Sequence, residues 1–383
     1  MSCESFHKRS SESIDNSERS CTVRPEQVLI PIIRQIVSRP KLAGATLGRF
    51  DPWGNPYAEE VFADPMVLAP AIRESDRVYW HPLYQQWFIT GYEEAKELLA
   101  SPHVGTADQM ALLLLVRPYN KLSDQSRTMI RNLLLLTDPP QHTRLRQLVS
   151  RAFTPKQVSR LEPWMELVVD EMLDEFGAEV DLMSEFAMRF PARVIGELIG
   201  FGRDEWKWLQ RLSATITKIT DPMSGFDPED MDGAIDELRR RVLDLAAERR
   251  ANPTDDLMSG LVAASDDQDG RLSEDELVAT TAIMLIAGHE TTSAMIGMSL
   301  LHLYDNPDQI QLLEEKPDLW PNAVEELLRY DPAFRTDPRH ALADFELGGK
   351  QIKKGQNLVV TIASEQAWLE PNFVSRCRVS SRR

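Results

Sequence analysis

From Leu277 to Tyr304 the chain carries only four titratable groups, His289, Glu290, His302 and Tyr304. Just upstream, Ser273-Glu274-Asp275-Glu276 has the form of a capping box, in which hydroxyl and carboxylate each satisfy the other's backbone N–H. Downstream, Asn306-Pro307 ends any helix, because proline lacks a donor and clashes with the preceding turn. The pattern therefore predicts one long helix from Glu274 to Tyr304, N-capped by Ser273. A helix that is apolar nearly all round is buried through the middle of a protein, so the remaining chain has to wrap around it. Glu290 in such a place is costly unless it is paired, hydrated or used.

The remainder can supply that wrapping. The chain has 383 residues, 42% of them hydrophobic, with eight tryptophans, which is ample for a buried core. Met165, Val168, Val169, Met172, Leu173 and Phe176 recur at helical spacing and place an amphipathic helix behind Pro163. Arg77–Thr90 alternates apolar and polar residues around His81-Pro82, which reads as a hairpin, and Tyr92–Leu99 follows as a short helix. Phe345–Leu347 and Asn357–Ile362 return to strand character, with Gly348-Gly349 and Lys354-Gly355 as turns. Helices dominate and the few strands sit at the two ends. The expected fold is mainly α (α+β), one helix-rich domain with small β-sheets.

Residues 1–25, rich in serine and charge, cannot bury enough surface to order themselves, so the domain is expected over 26–364. The apolar run Val28–Ile36 is broken by Pro31 and Arg34 and is too short to span a bilayer. Cys3, Cys21 and Cys377 form neither a disulfide framework nor a metal spacing. These features fit a soluble, cytoplasmic protein, with no membrane segment and a monomer expected. A net charge of −17 repels polyanions and argues against nucleic acid as a partner.

Three short segments carry candidate chemistry. In the middle of the long helix, Ala287-Gly288-His289-Glu290-Thr291-Thr292 sets a carboxylate beside a hydroxyl where Gly288 thins the helix. Such a pair suits proton delivery into a dry pocket; equally, it suits a packed glycine and a glutamate with a chance partner. His289-Glu290 does not extend to a zinc-protease motif, because Ser293 stands where the second histidine would be. Asp138-Pro139-Pro140 leads a helix on which His142 and Arg146, four apart, share a face and can hold an anion. That face also reads as a solvated basic patch. Glu326 and Arg329 form a common i,i+3 pair. Ser265–Glu276 approaches a calcium loop, an alternative function, but has serine at the first ligand position, and Glu276 already serves the capping box.

Taken in order and spacing, these segments resemble the cytochrome P-450 family in its soluble bacterial form, over about 56–364. They are the Trp87–Gly91 strand and turn, D-P-P-x-H-T-x-L-R, A-G-x-E-T-T on a long central helix, E-x-x-R, then Arg339 and the strands that follow. The resemblance implies a cytochrome P-450 fold holding haem b (iron protoporphyrin IX). It also implies a monooxygenase that places one oxygen atom of O2 into a small apolar substrate, with electrons from NAD(P)H through ferredoxin and ferredoxin reductase. Glu290 and Thr291 then match the catalytic acid–alcohol pair, and Ala287 and Gly288 the helix face against the haem. His142, Arg146 and Arg339 match the cations on its propionates, and Glu326 with Arg329 a structural ion pair.

One family element is missing. The loop F-x-x-G-x-x-x-C-x-G, whose cysteine binds the iron, does not occur, so the domain reads as truncated before that loop. Cys377 lacks the required phenylalanine and glycine spacing, so no metal ligand is assigned to it. Residues 365–383 read as an aberrant, frameshifted tail, since a one-base shift after Ser364 can restore family-like sequence. The alternative to an active monooxygenase is therefore a non-catalytic remnant that binds haem or an apolar ligand weakly.

Overall fold

The backbone periodicities become elements as follows. A computed structural model describes residues 76–81, 85–107, 118–153, 155–220, 225–266, 272–334 and 336–362, all within one compact unit spanning 51–383. The N-terminal segment 1–25, the tail 365–383 with Cys377, and part of the calcium-like loop lie outside the described residues. In chain order the main elements begin with β1 (Val78–His81), β2 (Gln86–Ile89), α1 (Tyr92–Ala100) and β3 (Val104–Gly105). The helical body follows with α2 (Asp124–Arg131), α3 (Gln141–Ala152), α4 (Pro155–Asp174), α5 (Arg189–Ile199) and α6 (Trp206–Ile216). It continues with α7 (Pro228–Ala251), α8 (Leu257–Asp266), α9 (Glu274–Asp305), α10 (Pro307–Glu315) and α11 (Trp320–Tyr330). Four strands close it: β4 (Thr336–Ala341), β5 (Phe345–Leu347), β6 (Lys350–Ile352) and β7 (Asn357–Thr361).

The hairpin and the short helix lie where their patterns put them. β1 and β2 pair antiparallel in register Val78↔Ile89, and β2 then pairs in parallel with β7. The five-stranded sheet has the order β1-β2-β7-β4-β3, so it joins segments about 270 residues apart in sequence, as the Thr361 hydroxyl bonded to the Ile89 carbonyl shows. β5 and β6 form a separate hairpin whose turn uses Gly348 and Gly349 at φ +54° and +74°, a region that favours glycine. Val78, Ile89, Leu98, Leu347, Ile352, Leu358 and Val360 make the small core beneath these strands.

One expectation needs correction. The stripe around Val168 and Met172 is helical, but α4 starts at Pro155 and carries Pro163 inside it instead of at its start. Pro163 removes one internal hydrogen bond, yet Leu161, Val168 and Met172 are buried on either side of it. Each buried side chain of that kind is worth about 1.5–3 kcal/mol, enough to offset the break.

The long helix runs from Glu274 to Asp305. Ser273 Oγ accepts from the Glu276 N–H at 3.2 Å and Glu276 Oε2 accepts from the Ser273 N–H at 3.0 Å, a complete capping box. Glu276 Oε1 also pairs with Arg144 of α3. Both carboxylate oxygens are thus taken, which opposes a bidentate calcium ligand at this position. Among the described residues no cluster of three metal-binding side chains exists. Ser273→Ala should cost about 1 kcal/mol in urea unfolding, with an unchanged denaturant slope, because one N-terminal donor loses its partner.

The first half of α9 is buried as expected. Leu277, Val278, Ala279, Ala282, Leu285 and Ile286 join the main core, against α5, α6, α7 and α2. The second half departs from the expectation of burial along the whole helix: Leu301 is 58% and Tyr304 79% exposed. Apolar composition fixes which surface wants cover, and the cover itself has to come from another element. Among the described residues, α10 and α11 shield only Leu303, with Leu313, Ala323 and Leu327, in a small separate core.

Candidate functional site

The middle of α9 is where helix packing and chemistry meet. Gly288 has no side chain because Ile195 of α5 occupies the space: a Cβ there would lie 2.9 Å from its Cδ1. This close approach seats α9 against α5 and turns the next three residues to three different surroundings. His289 is fully buried, and its Nε2 lies 2.9 Å from the Met188 carbonyl just before α5. The Glu290 carboxylate faces α6, accepting from the Ser213 hydroxyl at 3.4 Å, with His289 Nδ1 also 3.4 Å from its Oε1. Thr291 stands on another face and donates its hydroxyl to the Ala287 carbonyl one turn back, at 2.6 Å.

Thr291 lines an apolar cavity of about 580 Å³ between α9 and α11. Its walls are Met295, Ile296, Leu300, Leu327, Leu328 and Phe334, with Thr292 and Ser299 adding hydroxyl residues to Thr291. A second apolar cavity of about 850 Å³ shares Leu300, Leu303 and Trp320 with it and extends to Met183 and Tyr304. Cavities of this size and lining suit large apolar groups. Glu290 is absent from both linings, so the carboxylate and the hydroxyl, neighbours in sequence, point apart around the helix.

The charge on Glu290 is stabilised locally. His289 beside it holds its carboxyl below the usual carboxylate range, against the opposing effect of burial, and Ser213 adds in the same direction. Neither Ser213 nor Met188 could be found from sequence. They lie 77 and 101 positions away from their partners, and no motif marks them.

The other expected residues fall in three places. His142 and Arg146 share a cavity of about 640 Å³ along α3 with Thr143, Gln147, Ser150 and Arg151. Asp138, just before α3, receives the backbone N–H groups of Thr106 at 2.8 Å and Ala107 at 3.2 Å, which ties the start of this helix to the end of β3. Arg339 lies on β4, paired with Asp337 and donating to the Pro338 carbonyl at 2.8 Å. Glu326 and Arg329 form a two-pronged pair on α11, with both bonds at 2.6 Å and Glu326 buried.

These side chains fit part of a haem's needs. The cations of α3 face open space and suit the carboxylates of a propionate-bearing ring. Ala287, exposed one turn before Thr291 on the middle of α9, suits its face, while the thinned side at Gly288 is taken by Ile195. None of the described residues is a cysteine, so the thiolate expected of the family is not among them.

Comparison with known proteins is consistent with this geometry. The family model for cytochrome P-450 matches residues 229–372. The chain is 36% identical to 6-deoxyerythronolide B hydroxylase of Saccharopolyspora erythraea, over 72% of this chain and 68% of that protein. It is 35% identical to vitamin D(3) 25-hydroxylase of Pseudonocardia autotrophica, over 86% of this chain and 79% of that protein. The solved structure of CalO2 superposes with a TM-score of 0.75 at 28% identity, covering 83% of this chain and 81% of its own. Sequence, fold and the arrangement around α9 agree, and the chain belongs to the cytochrome P-450 family.

Proposed function

We propose that this chain is a haem-dependent monooxygenase that inserts one oxygen atom of O2 into an apolar substrate. Electrons come from NAD(P)H through a ferredoxin and ferredoxin reductase. The observation that carries this reading is the Thr291 hydroxyl bordering a largely apolar cavity, one residue from a partly buried Glu290 whose carboxyl is held below the usual carboxylate range. A bound haem would supply the oxygen-activating redox chemistry. His142 and Arg146 would hold its carboxylates, with Arg339 as a third cation, and Ala287 would lie against its face. Thr291 would orient water at the reacting oxygen, and Glu290, turned toward α6 on another face of α9, would exchange protons with solvent.

The relatives named above are, by their names, hydroxylases of 6-deoxyerythronolide B and of vitamin D(3), which supports a hydroxylation reaction. Among the described residues no helix is long and apolar enough to cross a membrane.

The test begins with haem uptake. Titration of the purified chain with hemin, followed by Soret absorbance, should show one saturable site. His142→Ala and Arg146→Ala should each weaken it by about 10–100-fold, the value of one charge-assisted hydrogen bond. Uptake without reductant-dependent product formation would favour the non-catalytic alternative.

A further inference from the structure

One wall of the Thr291 cavity is not a regular element. Between α11 and β4, residues 331–334 carry neither helix nor strand, so something other than a backbone ladder has to hold them. Two side chains of α9 do so. His302 Nε2 lies 3.0 Å from Asp331 Oδ2, with the Tyr330 ring edge-on to the imidazole at 4.9 Å. Met295 Sδ accepts the Ala333 N–H at 3.2 Å. The two fastenings are seven residues apart, about 10 Å along the helix axis, and the link meets them in reverse order. It therefore runs back along α9 toward Thr291, one turn before Met295, and Phe334 follows at the cavity.

A methionine on an apolar face is usually a gap filler, suited to that by its flexible, unbranched chain. Here the sulfur has a second task. A leucine at 295 would fill much the same space and leave the partly buried Ala333 N–H without that acceptor. Phe334 borders the cavity with 49% of its surface exposed, so its place is set by where the link is held more than by packing around the ring.

We propose that Met295 is a positioning residue that sets substrate size: its sulfur clamps the 331–334 link to α9 and thereby fixes how far Phe334 stands from Thr291. With the clamp closed, the cavity discriminates against the bulkier of two apolar substrates. With it released, the link and Phe334 move outward and that discrimination is lost. That this cavity receives the substrate rests on the monooxygenase reading; the clamp does not.

The test uses two substitutions in the full chain. Met295→Leu keeps the bulk and removes the acceptor, whereas Met295→Gln keeps the chain length and offers a carbonyl oxygen instead. Hydrogen exchange, read by mass spectrometry on a peptide holding residues 331–334, should be about 5–30-fold faster there in Met295→Leu and near wild type in Met295→Gln. Fluorescence titrations with naphthalene and pyrene read the cavity itself. Met295→Leu should shift the affinity ratio several-fold toward pyrene, and Met295→Gln should restore it. Phe334→Ala should shift the ratio the same way, and adding Met295→Leu to it should change little more, because both act through one side chain. An unchanged ratio in Met295→Leu, no rescue by Met295→Gln, or an additive double variant would overturn the proposal. In a chain that carries the iron-binding cysteine loop, Met295→Leu should lower KM for a bulky substrate relative to a compact one, with kcat on the compact one unchanged. Probes that respond in a protein that turns nothing over would count against the monooxygenase reading alone. Turnover with unaltered exchange, probe and KM ratios would count against the clamp alone.

Discussion

In a chain that carries the iron-binding cysteine loop, Thr291→Ala should leave haem uptake and reductant consumption nearly intact while product formation falls about 10²-fold, the lower range for loss of a positioned proton-transfer group. Thr291 borders the apolar cavity between α9 and α11, with Thr292 next to it. Its own hydrogen is held by the Ala287 carbonyl at 2.6 Å, so its lone pairs are the part turned to a partner in the cavity. Alanine removes that acceptor and leaves a helix that folds at least as well, since alanine has the higher helix propensity. Electrons should then be spent on hydrogen peroxide. The measurement compares NAD(P)H consumed, peroxide released and product formed, with a surrogate ferredoxin and reductase. Full coupling in Thr291→Ala would reduce Thr291 to a packed helix residue. Thr291→Ser, which keeps the hydroxyl, should recover most of the coupling.

Arg329→Ala should be among the most destabilising single substitutions on α11, by about 3–5 kcal/mol, because it strands a buried carboxylate. Arg329 donates from both Nε and Nη2 to Glu326, whose side chain is only 3% exposed. Replacing Glu326 with glutamine keeps part of the hydrogen bonding and leaves the charge of Arg329, the more exposed partner, without its counter-ion, and should cost less than Arg329→Ala. A double-mutant cycle by chemical unfolding separates the coupling from the cost of burial. An Arg329→Ala change within 1 kcal/mol of wild type would show the pair to be no stronger than a solvated i,i+3 contact, worth roughly 0.2–0.5 kcal/mol.

The two experiments also separate two kinds of position. Glu326 is buried and unable to reach either apolar cavity, so its loss should act on stability. Thr291 makes one local hydrogen bond and borders open space, so its loss should act on chemistry with little change in Tm.

Much of this molecule was legible before any coordinates. Helix α9, its Ser273 cap and its stop at Asn306 follow from local rules, since a capping box closes within four residues and a proline acts on its own turn. The β1–β2 hairpin and the turn at Gly348-Gly349 are local in the same way. His142 and Arg146 share a face because helical periodicity alone puts them there, and Glu326 reaches Arg329 by the same geometry. Family membership was legible too, through the order and spacing of motifs that are weak one by one.

The tertiary structure decided everything that depends on distant chain. Pro163 became an interior helix residue because the burial of Leu161 and Val168 outweighs one missing hydrogen bond, a balance that no local rule can strike. The parallel pairing of β2 with β7 was not legible, because strand character says nothing about which strand is the neighbour. The acid–alcohol pair of α9 looked like one unit in sequence. Packing against α5 and α6 sent Glu290 toward Ser213 and left Thr291 at the apolar cavity. The same packing gave His289 its carbonyl and its carboxylate. Which groups surround a buried side chain is decided in space, and here the Ser213 hydroxyl and the Met188 carbonyl come from parts of the chain 77 and 101 residues away.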